Sequence, residues 1–251
     1  DYDLIMADNF ARASDKNQLK HVIYLGGIIP RHQKLSAHLE SRLEVERCFI
    51  KHTFSFTSLR AALIIGPGGS SFSIMINLVK RLPWMILPRL TKSKLSPIEV
   101  NEVCFYLFEV LQKGPQLAGV YDIAGASTLT YEQMLRKTAE LLGLKRHFLI
   151  VPFFSPIISR YWVSLFTGAP KELVYPLICS LKYNMVADPK KLLPVDTLLP
   201  QAFEQSLLQT IRESHAPLPP LKMTSPKTKG DHVRSVQRLP LPRGQDAGWV
   251  A

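Results

Sequence analysis

The chain has 251 residues, 46% hydrophobic and 20% charged, so it is long enough for one sizeable folded domain and is neither disordered nor fibrous. Its net charge of +11 comes from scattered basic residues without interleaved aromatics, so we predict a solvated surface and no nucleic-acid partner, with anion or nucleotide binding as the alternative. The widely spaced Cys48, Cys104 and Cys179 form no CxxC pair, so the sequence predicts neither a metal site nor a disulfide framework and favours a cytoplasmic location.

The first two-thirds of the sequence alternates β-rich runs with amphipathic runs, which is typical of a parallel sheet covered by helices. The opening residues have the apolar spacing of a helix. A strand is predicted at 21–28 and a helix at 35–52, with Ser36 as its N-cap. A second strand at 59–66 and a second helix at 72–82 follow. Two successive βα units predict a doubly wound sheet.

Beyond these units the sequence predicts a short extended piece, a helix, a strand and a further helix, at residues 83–88, 100–112, 120–125 and 129–144. The last helix has the clearest signal, because Thr130 is a suitable N-cap and Gln133 stands at the capping-box position three residues later. Residues from about 129 to 210 are mostly apolar and helical in pattern, which predicts a small helical lobe.

One apolar stretch, at 149–168, is as long as a membrane span. Arg160 lies in its middle, and Pro152 and Pro156 interrupt it, so we predict a buried or surface-docking helix and no span. Between residues 216 and 242, prolines and basic residues replace the apolar periodicity, which indicates a linker.

Several runs together resemble successive blocks of the NmrA-like, atypical extended short-chain dehydrogenase/reductases. The resemblance extends over roughly residues 1–190 in the order of that family. Its clearest runs are YLGG (24–27), LSAHLESRLEVE (35–46), LRAALIIGPGGSSF (59–72) and YDIAGASTLTYEQML (121–135). The tail VRSVQRLPLPRGQDAGWVA (233–251) resembles the start of a poorly characterised domain appended to some of these proteins.

The resemblance implies an α/β, Rossmann-like doubly wound parallel sheet with a small, mostly helical lobe on the substrate side. Residues 1–215 would then be the C-terminal portion of an NAD(P)-binding-type domain, and 216–251 a basic, proline-rich linker with the start of a further domain. It also implies NAD or NADP as cofactor and an oxidoreductase or epimerase acting on an unidentified small molecule.

In that family, a glycine-rich turn after the first strand holds the dinucleotide. No such turn precedes the helix that begins near residue 4. We therefore expect the first βαβ units to be missing from this chain and the cofactor to be held by the complete protein. On this interpretation, the isolated chain binds NAD(P)H weakly or not at all.

A second glycine cluster, Gly66-Pro67-Gly68-Gly69, follows a predicted strand and opens a predicted helix, as a phosphate-binding turn does. Pro67 lacks an N–H donor, however, and no acidic residue follows until Glu99, so a tight strand-to-helix turn is the competing interpretation. The resemblance supplies a third, a loop near the nicotinamide end of the cofactor formed by Gly66, Pro67 and Gly68.

The catalytic positions depart from the family, whose classical members use a Tyr and a Lys four residues later on one helix face. The resemblance places His38 at the Tyr position and Arg42 at the Lys position, with Gly26 and Gly27 near the usual Ser. His38 could donate a proton, and Arg42 could bind ribose or phosphate. The alternative is a surface ion pair between Arg42 and Glu46.

Two further arginines are candidates for substrate binding. Arg60 lies inside an apolar strand, where an unpaired charge is costly, and Arg89 follows the extended piece. Either a carboxylate or an anionic ligand could be the partner of each.

Two other function classes compete with an enzyme. One is a nucleotide-sensing or assembly module without the Tyr/Lys pair, and the weaker one is a protein that docks on a membrane surface through 149–180.

Overall fold

The computed structural model describes residues 2–30, 34–151, 179, 182–195 and 198–215. The helices among them are α1 (Tyr2–Lys16), α2 (Ala37–Ile50), α3 (Ser70–Arg81), α4 (Val100–Lys113), α5 (Tyr131–Leu141) and α6 (Phe203–His215). The strands are β1 (His21–Gly27), β2 (Ser55–Ala61), β3 (Leu63–Ile65), β4 (Trp84–Pro88), β5 (Lys94–Leu95), β6 (Pro97–Glu99), β7 (Gly119–Asp122), β8 (Leu129–Thr130) and β9 (His147–Val151).

Parallel pairing dominates the described strands. Strands β1, β2 and β7 form a three-stranded parallel sheet in that order, in which Gly27 lies beside Ala61. Two further parallel pairs join β3 to β6 and β4 to β9, and β5 pairs with β8 in the antiparallel sense. Because parallel neighbours need a crossover between them, at least one helix lies between the two strands of each parallel pair.

Helices cover both faces of the central sheet, as the alternation along β2 shows. Phe56 packs with residues of α1 and α2, whereas Leu59 and Ala61 pack with residues of α4. Successive residues of a strand point to opposite faces, so one strand supplies both layers. The predicted α/β, doubly wound arrangement is therefore present in the described chain.

Most predicted elements appear within a few residues of their expected ends. Ser36 caps α2 by accepting a hydrogen bond from the Leu39 amide, and the capping box of Thr130 and Gln133 forms at the start of α5. The strand predicted at 59–66 is wrong in its bounds, because β2 begins at Ser55 and a break at Ala62 separates it from β3.

The predicted helical lobe contains a strand as well. Strand β9 pairs with β4 over its whole length, so the extended piece predicted at 83–88 has a parallel partner some sixty residues later. Most of the apolar stretch predicted as a docking helix, and the predicted linker at 216–251, lie outside the described residues. None of the described helices is long and apolar enough to cross a membrane.

The largest buried cluster lies among α3, α5 and α6. Met75, Val79, Leu135 and Leu207 are completely or almost completely buried there. Burying such side chains contributes roughly 1.5–3 kcal/mol each, so this contact fixes the lobe helices against α3. The N-terminal ends of α3 and α5 consequently have defined positions beside the strands.

Candidate functional site

A cleft of about 560 Å³ lies at the carboxyl ends of β1, β2, β3 and β4. Small-molecule sites typically have volumes of about 300–1,000 Å³, and in parallel α/β sheets they lie at this end of the strands. The aliphatic and thioether side chains of the wall belong to Leu25, Leu39, Leu63, Ile64, Ile74, Leu78, Ile86, Leu87, Leu95, Val100, Leu135 and Met185. The wall is therefore mainly apolar, with a few polar groups.

His38 and Arg42 both line this cleft. They stand one turn apart near the start of α2, so they share a helix face. His38 is exposed at the cleft, but desolvation by its surroundings and the nearby Arg42 cation lower its pKa, while Asp3 opposes them. The lowered pKa favours the neutral imidazole and makes the protonated form a stronger acid.

The Arg42 guanidinium is only loosely held. Its Nη2 lies 3.9 Å from Asp3 Oδ2, and the two side chains are 39% and 37% exposed. The same Oδ2 accepts a shorter hydrogen bond, 3.0 Å, from the Ser41 hydroxyl. A long, exposed ion pair contributes little, so Arg42 is free to bind an anion or a sugar hydroxyl in the cleft.

Glu46 is not the partner of Arg42, so that alternative is wrong. The Glu46 carboxylate is buried and accepts bonds from Ser58 Oγ at 2.6 Å, Arg60 Nε at 2.9 Å and Arg60 Nη2 at 2.5 Å. Burial alone would raise the pKa of Glu46, but the hydrogen bonds from Arg60 and Ser58 hold it below its ordinary value.

Arg60 therefore has the carboxylate partner that the sequence left as one of two alternatives. Its side chain is 13% exposed and is absent from the residues that line the cleft, so the expectation that it binds substrate receives no support. Arg89 begins a short 3-10 helix, Arg89–Lys92, and is exposed. Its guanidinium hydrogen bonds to none of the described residues, and its role in substrate binding stays a prediction.

The glycine pair at the end of β1 forms part of the cleft wall. A Cβ on Gly26 would lie 2.8 Å from Tyr24 Cε1, closer than real Cβ contacts allow, so a side chain there would displace the Tyr24 ring. A Cβ on Gly27 would meet only Leu39 Cδ2 at 3.9 Å and the Ala61 carbonyl at 4.0 Å. Of the two glycines, Gly27 therefore leaves its backbone open, whereas the Tyr24 ring covers Gly26.

The turn from β3 to α3 is built by glycines with different roles. Gly66 and Pro67 line the cleft, whereas Gly68 does not. Gly68 has a φ of +74°, which favours glycine, and the Gly69 amide donates to the Gly66 carbonyl at 3.3 Å. A Cβ on Gly66 would lie 2.7 Å from Val100 Cγ1, so the turn packs directly on the start of α4.

Sequence reasoning missed Tyr131, the first residue of α5. Its ring lines the cleft, burial raises its pKa above the ordinary range, and its hydroxyl hydrogen bonds to none of the described residues. The capping box around it predicts where the helix begins but not which cavity the helix faces. Thr91 and Ser71 also line the cleft, without a signal in the sequence that distinguishes them from surface residues.

No family model and no curated protein matches the chain. Several solved structures do match the chain in fold. The Citrobacter triphenylmethane reductase complexed with NADP(H) is 16% identical, with a TM-score of 0.64 over 82% of this chain and 70% of that one. The Rossmann-like fold predicted from the sequence is thereby confirmed.

Two further structures have the same fold. The NADPH-dependent quinone oxidoreductase of Escherichia coli, complexed with NADPH, is 15% identical and has a TM-score of 0.63 over 82% of this chain and 70% of that one. The dTDP-4-dehydrorhamnose reductase of Bacillus anthracis, in complex with NADP, is 18% identical and has a TM-score of 0.60 over 84% of this chain and 72% of that one.

Proposed function

We propose that this chain forms the nicotinamide and substrate end of an NAD(P)-dependent oxidoreductase that acts on a small, mainly apolar molecule. One observation carries the proposal: Gly26, Gly27, His38, Arg42 and the Gly66-Pro67 turn, which the sequence singles out separately, surround one cleft at the carboxyl ends of the strands. A shared ligand would account for these residues from three different segments.

The cleft suits the nicotinamide end of the cofactor. The open backbone at Gly27 lets a flat ring approach the end of β1, and the Arg42 cation lies on the same wall. Arg42 would bind the adjacent ribose or phosphate, since its guanidinium presents several donors in a fixed plane. Nothing distinguishes NAD from NADP in this part of the chain.

His38 is the proton donor in this proposal. NAD(P)H, when bound, supplies a hydride to the substrate, which leaves negative charge on a substrate oxygen. His38 in its protonated form gives its proton to that oxygen and becomes neutral imidazole. The lowered pKa makes protonated His38 a stronger acid, but it also reduces the fraction of molecules in which His38 is protonated. Turnover should therefore fall as the pH rises through this lowered pKa.

The wall predicts the substrate class. Leu63, Ile74, Leu95 and Leu135 supply apolar surface, and the Tyr131 hydroxyl offers one hydrogen-bond donor without a competing partner among the described residues. A quinone or an aromatic carbonyl fits such a wall better than a sugar nucleotide, whose many hydroxyls would stay unpaired. The quinone and triphenylmethane reductases of the same fold are consistent with this preference.

A nucleotide-sensing module is the second candidate. The observation that favours it is the HxxxR pair itself, because His38 and Arg42 stand where classical members use Tyr and Lys. That placement is what the family resemblance implies, and on it a sensor needs the Arg42 contact but no proton donor. A cytoplasmic location and the absence of a nucleic-acid partner remain predictions under both candidates.

The test uses the protein expressed from its full reading frame. Consumption of NADH and NADPH is measured with a panel of quinones, aromatic aldehydes and sugar nucleotides. We expect turnover with the apolar acceptors, and His38→Ala should lower kcat about 10²–10⁴-fold while nucleotide affinity stays unchanged. His147→Ala, an exposed histidine outside the cleft, is the matched control.

Three results would test the oxidoreductase and the sensor candidates. Nucleotide binding without turnover on any acceptor, together with a His38→Ala variant that binds normally, would favour the sensor. Turnover on sugar nucleotides alone would contradict the substrate class. No nucleotide binding by the protein from the full reading frame would overturn both candidates.

A further inference from the structure

A second cluster of ligating side chains lies between α1 and α2, outside the cleft. Asp8 of α1, Cys48 of α2 and His52 just after α2 each place one donor atom within 4.8 Å of the donor atoms of the other two. All three residues are partly exposed, and none of them lines the cleft. From these residues we propose a Zn²⁺ site that holds the first two helices together.

The helix geometry explains how the cluster forms. Cys48 and His52 are four residues apart at the end of α2, a spacing that brings side chains to one side of a helical segment. Helix α1 packs along α2 through Ala7 and Ala11, which lie in one buried cluster with Phe49. Asp8 follows Ala7, so it is carried to the edge of this contact, beside Cys48.

His52 is held as metal-binding histidines usually are. Its Nδ1 lies 2.6 Å from Asp15 Oδ2, and its ring stacks on Phe54 with 2° between the planes. Thr53 fixes the other Asp15 oxygen, through its hydroxyl at 2.7 Å and its amide at 3.2 Å. With Nδ1 bound to a carboxylate, Nε2 carries the free lone pair, which is the arrangement that orients zinc-binding histidines.

The donor set selects the metal. A thiolate, an imidazole and a carboxylate suit Zn²⁺, whereas Mg²⁺ and Ca²⁺ prefer oxygen ligands only. Around tetrahedral Zn²⁺ such donor atoms stand about 3.5 Å apart, so separations within 4.8 Å close by small side-chain rotations. Three protein ligands leave the fourth position for water.

The contact that Asp8 makes with Arg12 is weak. Asp8 Oδ2 accepts a bond from Arg12 Nε at 2.8 Å, but these residues are an exposed i,i+4 pair and the Arg12 side chain is 74% exposed. Such pairs contribute little, and the other carboxylate oxygen remains available to a metal. The separated cysteines predicted no metal site in the sequence; the ligands here come from two helices and include one cysteine only.

Cobalt is the direct probe, because Co²⁺ binds in place of Zn²⁺. A thiolate ligand gives Co²⁺ an intense near-ultraviolet charge-transfer band, and tetrahedral geometry gives it visible bands. The tag-free protein is titrated with CoCl₂ and then with ZnCl₂. We expect both sets of bands to saturate at one Co²⁺ per chain and to disappear when Zn²⁺ displaces it. Absence of the thiolate band in the wild-type protein would overturn the proposal.

Variants locate the site. Cys48→Ser should abolish the thiolate band, while Cys104→Ser and Cys179→Ser, which remove the other free cysteines, should leave it unchanged. Asp15→Asn should weaken Zn²⁺ binding about 10–100-fold, since second-shell carboxylates have effects of that size. Arg12→Ala should not weaken it. A band that survives Cys48→Ser, or vanishes in Cys104→Ser, would contradict the assignment.

Thermal unfolding gives an independent readout that does not depend on catalytic activity. Zn²⁺ that binds the folded state raises the Tm as its free concentration rises above the Kd, so the wild-type Tm should rise with ZnCl₂ and the Cys48→Ser Tm should not. Equal shifts in the two proteins would mean that Zn²⁺ binds elsewhere and would overturn the proposal.

Discussion

Helix α2 carries two arginine–carboxylate contacts whose chemistry is similar and whose environments differ. At its start, Arg42 lies 3.9 Å from Asp3 with both side chains more than a third exposed. Farther along, Glu46 is buried and takes two bonds from Arg60 on β2 and one from Ser58. The first contact leaves a cation available to a ligand; the second joins the helix to the sheet.

The difference shows that the environment of a charge, and not its residue type, decides its role. A buried carboxylate must be fully hydrogen bonded, because desolvation of an unpaired charge costs several kcal/mol. An exposed one keeps its water and holds its partner weakly. Glu46 and Arg60 are thus expected to govern stability, and Arg42 is expected to govern binding.

The largest effect should follow removal of the buried carboxylate. Glu46→Ala leaves Arg60 charged and nearly buried without its partner, so the free energy of unfolding should fall by about 3–5 kcal/mol in urea titrations. Glu44→Ala on the same helix is the control and should change it by less than about 0.5 kcal/mol. Equal effects of the two variants would mean that the Glu46 pair does not hold helix to sheet.

The same carboxylate predicts an acid dependence. The folded-state pKa of Glu46 is lowered, so its contribution is complete above the unfolded value of about 4.3 and is lost as the pH falls through the folded value. Unfolding measured from pH 7 to pH 3 should show this loss in the wild-type protein and a shallower one in Glu46→Gln. Parallel curves would show that the pair does not titrate with folding.

Arg42→Ala should have the next largest effect, on binding. Loss of a charged hydrogen-bond donor costs about 1.5–3 kcal/mol, so NADPH affinity should fall roughly ten- to a hundredfold in fluorescence titrations of the protein from the full reading frame. Arg47→Ala, which removes an exposed arginine of the same helix outside the cleft, should leave affinity unchanged. The prediction fails if both variants bind alike.

The two neighbours of His38 should shift its pKa in opposite directions. Arg42 lowers it and Asp3 raises it, so Arg42→Ala should move the titration of the His38 ring to higher pH and Asp3→Asn to lower pH. Titration of the ring protons by NMR measures the direction of both shifts. Shifts in the same direction would mean that Arg42 and Asp3 do not have opposite effects on the pKa of His38.

The smallest effect should follow removal of the ion pair between Arg42 and Asp3. Asp3→Asn should change the unfolding free energy by less than about 1 kcal/mol, and a double-mutant cycle with Arg42→Ala should give a similarly small coupling. The corresponding cycle for Glu46 and Arg60 should give a coupling several times larger. Coupling energies of similar size would mean that the Arg42–Asp3 and Arg60–Glu46 ion pairs do not differ in strength.

Local signals were enough to predict much of the fold. Ser36 and Thr130 mark helix starts because a side-chain oxygen must cap free amides, a requirement that depends on a few adjacent residues. The alternation of apolar runs likewise predicts parallel strands covered by helices. Strand β9 was missed because its partner β4 lies far away in the sequence.

The site was predictable in part. His38, Arg42 and the glycines at 26, 27 and 66 carry a family-like spacing, and they do surround one cleft. Whether they bind a nucleotide stays a proposal. Tyr131 faces the same cleft because α5 packs on α3, and no pattern of neighbouring residues records that contact.

The sequence by itself determined most of the element types and the helix caps, since each depends on short-range backbone chemistry or periodicity. Only the tertiary structure decided which charged side chains contact each other. Arg60 looked like a ligand-binding cation in an apolar strand until α2 placed Glu46 against it, and Asp8 comes beside Cys48 and His52 only through the packing of α1 on α2. Contacts of this kind join residues far apart in sequence, because their geometry depends on how whole helices and strands pack.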